Sequence, residues 1–383
     1  MQKRFTPDAG GMFPEWEEVE FGKLFQRRSE KNGEEFGVDK TISVATMYFK
    51  PEGNKADEKS LPKYKVMRTG DIAFEGHINK HFKHGRFVLN DIGDGIISPI
   101  FEVLQPVSEL SKEVPGFWKY YINYEPVMGK ILAKCANTGI MMNRLAIKDF
   151  YKQKIKVPCI EEQRKIAAAL AAYDEMIAVK TAKLETWQEC KKRMVKEIFG
   201  RTKRFKDDDG MEFPEWEEKT LGTVVSITTG KLNANEMVDG GQFNFYTSGV
   251  DVFKIDKAAF NGPAITVAGN GANVGCLHLA DGKFNAYQRT YVLQDFLACR
   301  EYIYAAIEVK LPNVIKKYKR GSAIPYIVMD MLADLKIPLP CMEEQQKIGS
   351  FLAEIDKEIQ IQKEFIKTYA EGKKRMMREL MEG

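Results

Sequence analysis

Residues able to read or hold a nucleic acid gather in a few loop-like stretches of this chain. The first half offers His77, Lys80, Lys83, His84 and Arg86, then Asn137, Thr138, Asn143 and Arg144. The second half offers Thr247, Ser248, Asn270, Asn273, Gln288, Arg289, Lys319, Arg320 and Ser322. Arg, Lys, Asn and Gln carry donors and acceptors that match base edges in the major groove, while Ser, Thr and backbone amides hold phosphates. One basic stretch alone says little, because such a run is more often a solvated face. Each is a hypothesis for a nucleic-acid contact.

Sharper chemistries fit less well. Gly269-Asn-Gly271 follows a strand-like Ala-Ile-Thr-Val-Ala, as a nucleotide-binding turn would. That turn needs a helix N-terminus directly after it to meet the phosphate, and Val274–Gly282 reads as strand and turn instead. A hairpin is the better reading. His77, His81 and His84 have metal-ligand spacing, but no cysteine or acid completes the set, and Lys80, Lys83 and Arg86 would repel a cation. The chain contains no G-x-x-x-x-G-K-[ST] loop, no G-x-S-x-G elbow, and no Asn-Pro-Pro-aromatic or Asp-Pro-Pro-Tyr string. A non-catalytic protein with no bound metal or cofactor is expected.

The elements that must position these residues are written twice. Residues 3–22 (KRFTPDAGGMFPEWEEVEFG) and 203–222 (KRFKDDDGMEFPEWEEKTLG) align at an offset of 200 and share the string Phe-Pro-Glu-Trp-Glu-Glu. Residues 157–199 and 339–381 align at an offset of 182, with 18 of 43 positions identical. The material between, 23–156 and 223–338, shows almost no identity. One frame performed twice around unlike inserts suggests one mechanical role and two specificities.

Both 157–199 and 339–381 begin with Pro and Glu-Glu-Gln and close with Lys-Lys-Arg-Met, signatures of a helix start and end. Apolar residues recur in steps of four and three: Ile166, Leu170, Tyr173, Ile177, Leu184, Trp187, Met194 and Ile198 in one copy. The other has Ile348, Leu352, Ile355, Ile359, Ile366, Tyr369, Met376 and Leu380, with polar breaks at Lys180, Lys191, Gln362 and Lys373. Such a stripe predicts a coiled coil, each helix the other's partner and roughly 60 Å long. The inserts read as mixed α/β. Strand-like runs fall at Thr41–Phe49, Asp71–Phe74, Ile96–Val103, Ala264–Val267 and Thr290–Leu293, and helical patterns near Gly116–Leu132 and Phe296–Tyr318. The expected fold class is α/β, with two mixed domains separated by two long helices in an antiparallel coiled coil. The expected boundaries are a domain at 1–156, helix 157–200, a domain at 201–338 and helix 339–383.

The bulk numbers agree. A chain of 383 residues suggests at least two domains, and 44% hydrophobic with 29% charged residues suits globular cores. A net charge of +4 permits a nucleic-acid partner without demanding one. Six cysteines without C-x-x-C pairing suit reduced thiols in the cytoplasm, and no apolar run is long enough to cross a bilayer.

Two unlike inserts in a repeated frame, each followed by Pro-Cys-x-Glu-Glu-Gln-x-Lys-Ile (158–166 and 340–348) and a later Asp174 or Asp356, resemble the specificity subunit of type I restriction-modification systems. Phe-Pro-Glu-Trp-Glu at 13–17 and 213–217, Gly-Asp-Ile-Ala-Phe at 70–74, Ile-Ser-Pro-x-Phe-x-Val at 97–103 and the Gly-Asn-Gly-Ala-Asn-Val-Gly turn support the resemblance. It implies that each insert reads one half of a split duplex DNA target while the helices set the spacing. It also implies two modification subunits docked on the helices, placed here at Glu161, Glu162, Gln163, Asp174, Glu343, Glu344, Gln345 and Asp356. S-adenosylmethionine would come with those subunits, and ATP with magnesium with restriction subunits. The repeat pattern further predicts an approximate two-fold arrangement with the two chain ends close together. The main rival is a non-catalytic scaffold that spaces two protein-binding domains; a further one is an enzyme with a hidden active site.

Overall fold

A computed structural model describes residues 4–50, 58–139, 142–318 and 326–381. They fall into two compact units, one of residues 1–180 with 365–383 and one of residues 181–364. The two 40-residue helices, Ile160–Phe199 and Met342–Met381, each give one half to each unit.

The core of the first unit is a four-stranded antiparallel sheet in the order Phe25–Arg27, Glu102–Pro106, Ile72–Glu75, Arg86–Leu89. All four residues of Ile72–Glu75 are buried, as expected of a central strand covered on both faces. In the second unit the order is Ser226–Thr229, Thr290–Gln294, Ala264–Ala268, Leu277–Ala280, again antiparallel. Strand for strand this is the same sheet, although the inserts share almost no sequence. A short pair closes each unit at the root of the long helix, Glu17–Glu20 with Lys154–Val157 and Glu217–Thr220 with Lys336–Leu339.

The inserts part company in their satellite strands. The first unit adds three two-stranded pairs, Ile42–Ser43 with Tyr48–Phe49, Lys65–Met67 with Gly95–Ile97 and Ala136–Asn137 with Arg144–Leu145. The single strand expected over Thr41–Phe49 is therefore a hairpin, and Met47 turns it at a φ of 47°. The run expected over Ile96–Val103 is split by a turn at Ser98–Phe101, and the helix near Gly116–Leu132 is two helices, Pro115–Tyr121 and Glu125–Cys135. Pro126 sits in the first turn of the latter, where its missing N–H costs nothing. The second unit instead adds a four-stranded sheet, Phe253–Ile255, Phe243–Tyr246, Lys283–Ala286, Phe260–Asn261.

Within each unit the long helices run antiparallel. In the first, Ile166 and Leu170 share a core with Met376, Leu380 and Met381, and the Tyr173 and Tyr369 rings meet at 6.4 Å. In the second, Met194 and Ile198 share a core with Ile348 and Leu352. Phe5 packs into the same core as Met381, so both ends of the described chain are anchored in one unit. Three of the four polar breaks in the seam have specific uses. Lys180 lies 4.5 Å from the Phe365 ring centre. Lys373 pairs with Asp174 at 2.6 Å, and Lys191 with Asp356 at 2.8 Å. Gln362 is buried.

Candidate nucleic-acid interface

The frame comes first, because it positions everything else. Glu162, in the first turn of its helix, is 1% exposed and accepts hydrogen bonds from Arg4 at 3.0 and 2.7 Å and from the Trp16 indole at 3.1 Å. Glu344 repeats this, accepting from Arg204 at 2.9 Å and Trp216 at 2.8 Å. The carboxylate hydrogen bonds hold both arginines above the ordinary arginine pKa. Behind them, Gln163 donates to the Pro158 carbonyl at 3.0 Å and Gln345 to that of Pro340 at 2.7 Å. Tyr121 donates to the Lys156 carbonyl at 2.7 Å, and Tyr302 to that of Pro338. The opening motif and the helix motif, repeated at different offsets, are therefore two halves of one clasp.

This corrects the docking residues read from the sequence. Glu162, Gln163, Glu344 and Gln345 are buried and spent inside the chain, so their side chains do not face a partner. Glu161 and Glu343 remain exposed. Asp174 and Asp356 are part-exposed, with Asp174 held by Lys373 and by the Tyr120 hydroxyl at 2.7 Å. Asp356 is held by Lys191, which also reaches Glu308 at 2.6 Å. Burial works against the Lys191 ammonium, but the two carboxylates more than offset it and leave its pKa above the ordinary lysine value.

On this frame each unit carries a cleft built from the same three segments. In the first, about 880 Å³ is lined by Phe74 of the central strand and His77 of the hairpin after it, Ile100 and Glu102 from the next crossing, and Thr138, Gly139, Met142, Asn143, Arg144 and Leu145 from the segment before the closing strand. In the second, about 450 Å³ is lined by Gly269, by Gln288, Arg289 and Tyr291, and by Tyr326, Ile327 and Val328. Glycines permit the close crossing of these segments. A Cβ on Gly76 would stand 2.1 Å from the Asn143 carbonyl oxygen, and one on Gly269 2.5 Å from that of Arg289.

Of the residues picked out by sequence, the structure thus gathers His77, Thr138, Asn143 and Arg144 in one cleft and Gln288 and Arg289 in the other. Asn143 is itself buried, its N–H donating to the Gly76 carbonyl at 2.9 Å. Lys80 and Lys83 are exposed on the hairpin, with His84 half-buried beside them. Arg86 turns inward: it donates to the Ala45 carbonyl, lies 3.6 Å from Glu75 and stacks over Phe82 at 5.1 Å. Asn137 is exposed next to Thr138. Asn270 and Asn273 lie in the Gly269–Cys276 turn, which is a hairpin as expected, and the Ser248 hydroxyl lies 2.6 Å from Asn270 Oδ1. Thr247 is buried. Lys319, Arg320 and Ser322 lie outside the described residues. Sequence reasoning missed Ile100 and Tyr326, exposed at 64% and 59% on the two cleft walls, because an isolated apolar or aromatic residue has no signature before the fold exposes it.

A duplicated α/β protein that mounts two unlike clefts on one repeated, clasped helix frame is the class these features define. Residues 102–186 and 214–368 match the model of the type I restriction modification DNA specificity domain, and the chain belongs to that family. It is 35% identical over 146 residues to the specificity subunit of the type I restriction enzyme EcoDI of Escherichia coli, a match covering 37% of this chain and 32% of that protein. It is 25% identical over 327 residues to the MjaVIII specificity subunit of Methanocaldococcus jannaschii, covering 76% of this chain and 74% of that one. The fold resembles that of a type I restriction-modification S subunit from M. genitalium, with a TM-score of 0.72 at 16% identity over 98% and 99% of the chains. A chain from a structure on complex assembly and conformational transition of the type I system matches at a TM-score of 0.50 and 18% identity over 96% and 97%. Among the described residues no helix is long and apolar enough to cross a membrane.

Proposed function

We propose that this chain is the non-catalytic DNA-reading subunit of a type I modification and restriction complex, each unit reading one half of a two-part duplex target. The observation that carries this is the pair of clefts. They occupy equivalent places on one strand order and one clasp, yet offer His77, Thr138 and Arg144 in one and Gln288, Arg289 and Tyr326 in the other. Equal position with unlike chemistry suits two readers of different sequences. The helix pair would set the spacing of the half-sites, and its outer faces would dock two modification subunits. Those subunits would bring S-adenosylmethionine and the methyl transfer, and restriction subunits would bring ATP and magnesium.

The chain co-purified with its modification subunits should bind duplex DNA with an affinity that falls steeply with salt, because phosphate contacts release counterions. The same complex should methylate a bipartite motif in a host genome. Salt-insensitive or absent DNA binding would instead favour a protein-spacing scaffold, and methylation by the isolated chain would point to a hidden active site.

A further inference from the structure

Glu75 is the last residue of the central strand in the first unit, and its side chain is 5% exposed. A carboxylate at that depth needs partners, and His77 and Arg86 supply them. One oxygen accepts the His77 backbone N–H at 3.0 Å and contacts the ring at Nδ1; the other lies 3.6 Å from Arg86 Nε. A carboxylate only accepts, so the ring proton at Nδ1 points to Glu75 and Nε2 is the atom His77 presents outward. That side chain is 57% exposed and lines the cleft. The backbone on either side of it is closely packed. Gly85, at a φ of 87°, would place a Cβ 2.8 Å from the Glu75 carbonyl oxygen, and Gly76 is pressed against Asn143.

The second unit holds the same position by other means. Gly269 follows its central strand as Gly76 does, so Asn270 stands where His77 stands and Ala268 where Glu75 stands. With no carboxylate available, Ser248 reaches Asn270 from a neighbouring loop at 2.6 Å. In both units the side chain after the glycine is braced from behind, by a different group each time.

Resting on the reading of this chain as a DNA reader, we infer that His77 contacts one base pair of the first half-site and that Glu75 is its positioning residue, fixing the imidazole so that Nε2 faces the DNA. Arg86 then acts as the counter-charge of Glu75 and is not itself a base reader.

The experiment co-expresses the chain with its modification subunits and sequences the methylated bases of a host genome. His77→Ala, at an exposed position, should relax one base pair of one half-site by about tenfold, leaving the other half unchanged. Glu75→Gln should relax the same base pair, and the double variant should add little to either single one. An unchanged motif in His77→Ala overturns the inference, as does Glu75→Gln lowering methylation evenly at all sites, which marks a purely structural role. If the unaltered complex methylates no bipartite motif, the DNA-reader proposal itself fails, a result separate from these.

Discussion

Glu344 shows what a single residue contributes to this frame. It is fully buried, and its charge is tolerated because Arg204 and the Trp216 indole both donate to it. Removing one partner of such a pair strands the other in a poor dielectric, which costs about 3 kcal/mol or more, whereas removing both charges costs less. Arg204→Met should therefore destabilise the second unit by roughly 3 kcal/mol, and Arg204→Met with Glu344→Gln should recover part of that loss. Guanidinium unfolding followed by tryptophan fluorescence measures both, and an Arg204→Met variant as stable as the parent would contradict the clasp. The repeated Glu-Glu-Gln string was legible in the sequence, and so was its place at a helix start. Which of its carboxylates faces inward was not, because that depends on Arg204 and Trp216, more than 120 residues away.

At the scale of elements, the seam between the helices is kept in register by charge as well as by apolar packing. Asp174 of the first helix meets Lys373 of the second in one unit, and Asp356 of the second meets Lys191 of the first in the other. The period of apolar residues predicted the helices and their polar breaks, and the structure supplies the reason for the breaks at Lys180, Lys191 and Lys373. Reversing one charge, as in Asp174→Lys, places two ammonium groups together and removes the acceptor of the Tyr120 hydroxyl. A loss on the order of 1–2 kcal/mol is expected, and adding Lys373→Asp should restore about half, since the Tyr120 hydrogen bond and the Lys373 contact with the Tyr120 ring then stay broken. Thermal melts of the two single variants and the double test this, and additive losses would show that the pair does not couple. The shared strand order was hidden from sequence for a different reason. Ile265 opposite Leu293 repeats Ile72 opposite Leu104, but the pairing is set by residues distant in sequence and buried on both faces, where many apolar side chains serve equally well.

For the whole molecule, the consequence of a frame written twice is that one insert can change without the other. The first insert is tied to its frame by the Lys154–Val157 strand against Glu17–Glu20, by Tyr121 donating to the Lys156 carbonyl and Tyr120 to Asp174, and by a shared aromatic core in which Trp16 packs on Phe117 and Tyr121 and Phe21 on Phe150. The boundary of 23–156 read from the sequence thus cuts inside the closing strand. A graft of residues 23–153 that keeps tyrosines in the places of Tyr120 and Tyr121 and aromatic residues in those of Phe117 and Phe150 leaves the strand and the shared core whole, and carries with it every residue lining the first cleft. Taken from another family member, such a graft should replace one half of the methylated motif. The other half and the spacer should stay as they were, because the second cleft and both long helices are untouched. Mapping methylated bases in cells carrying the grafted chain and its modification subunits gives the answer directly. A change in both halves, or in the spacer, would mean that the clefts do not read independently and that the repeated frame serves some purpose other than holding two separate readers.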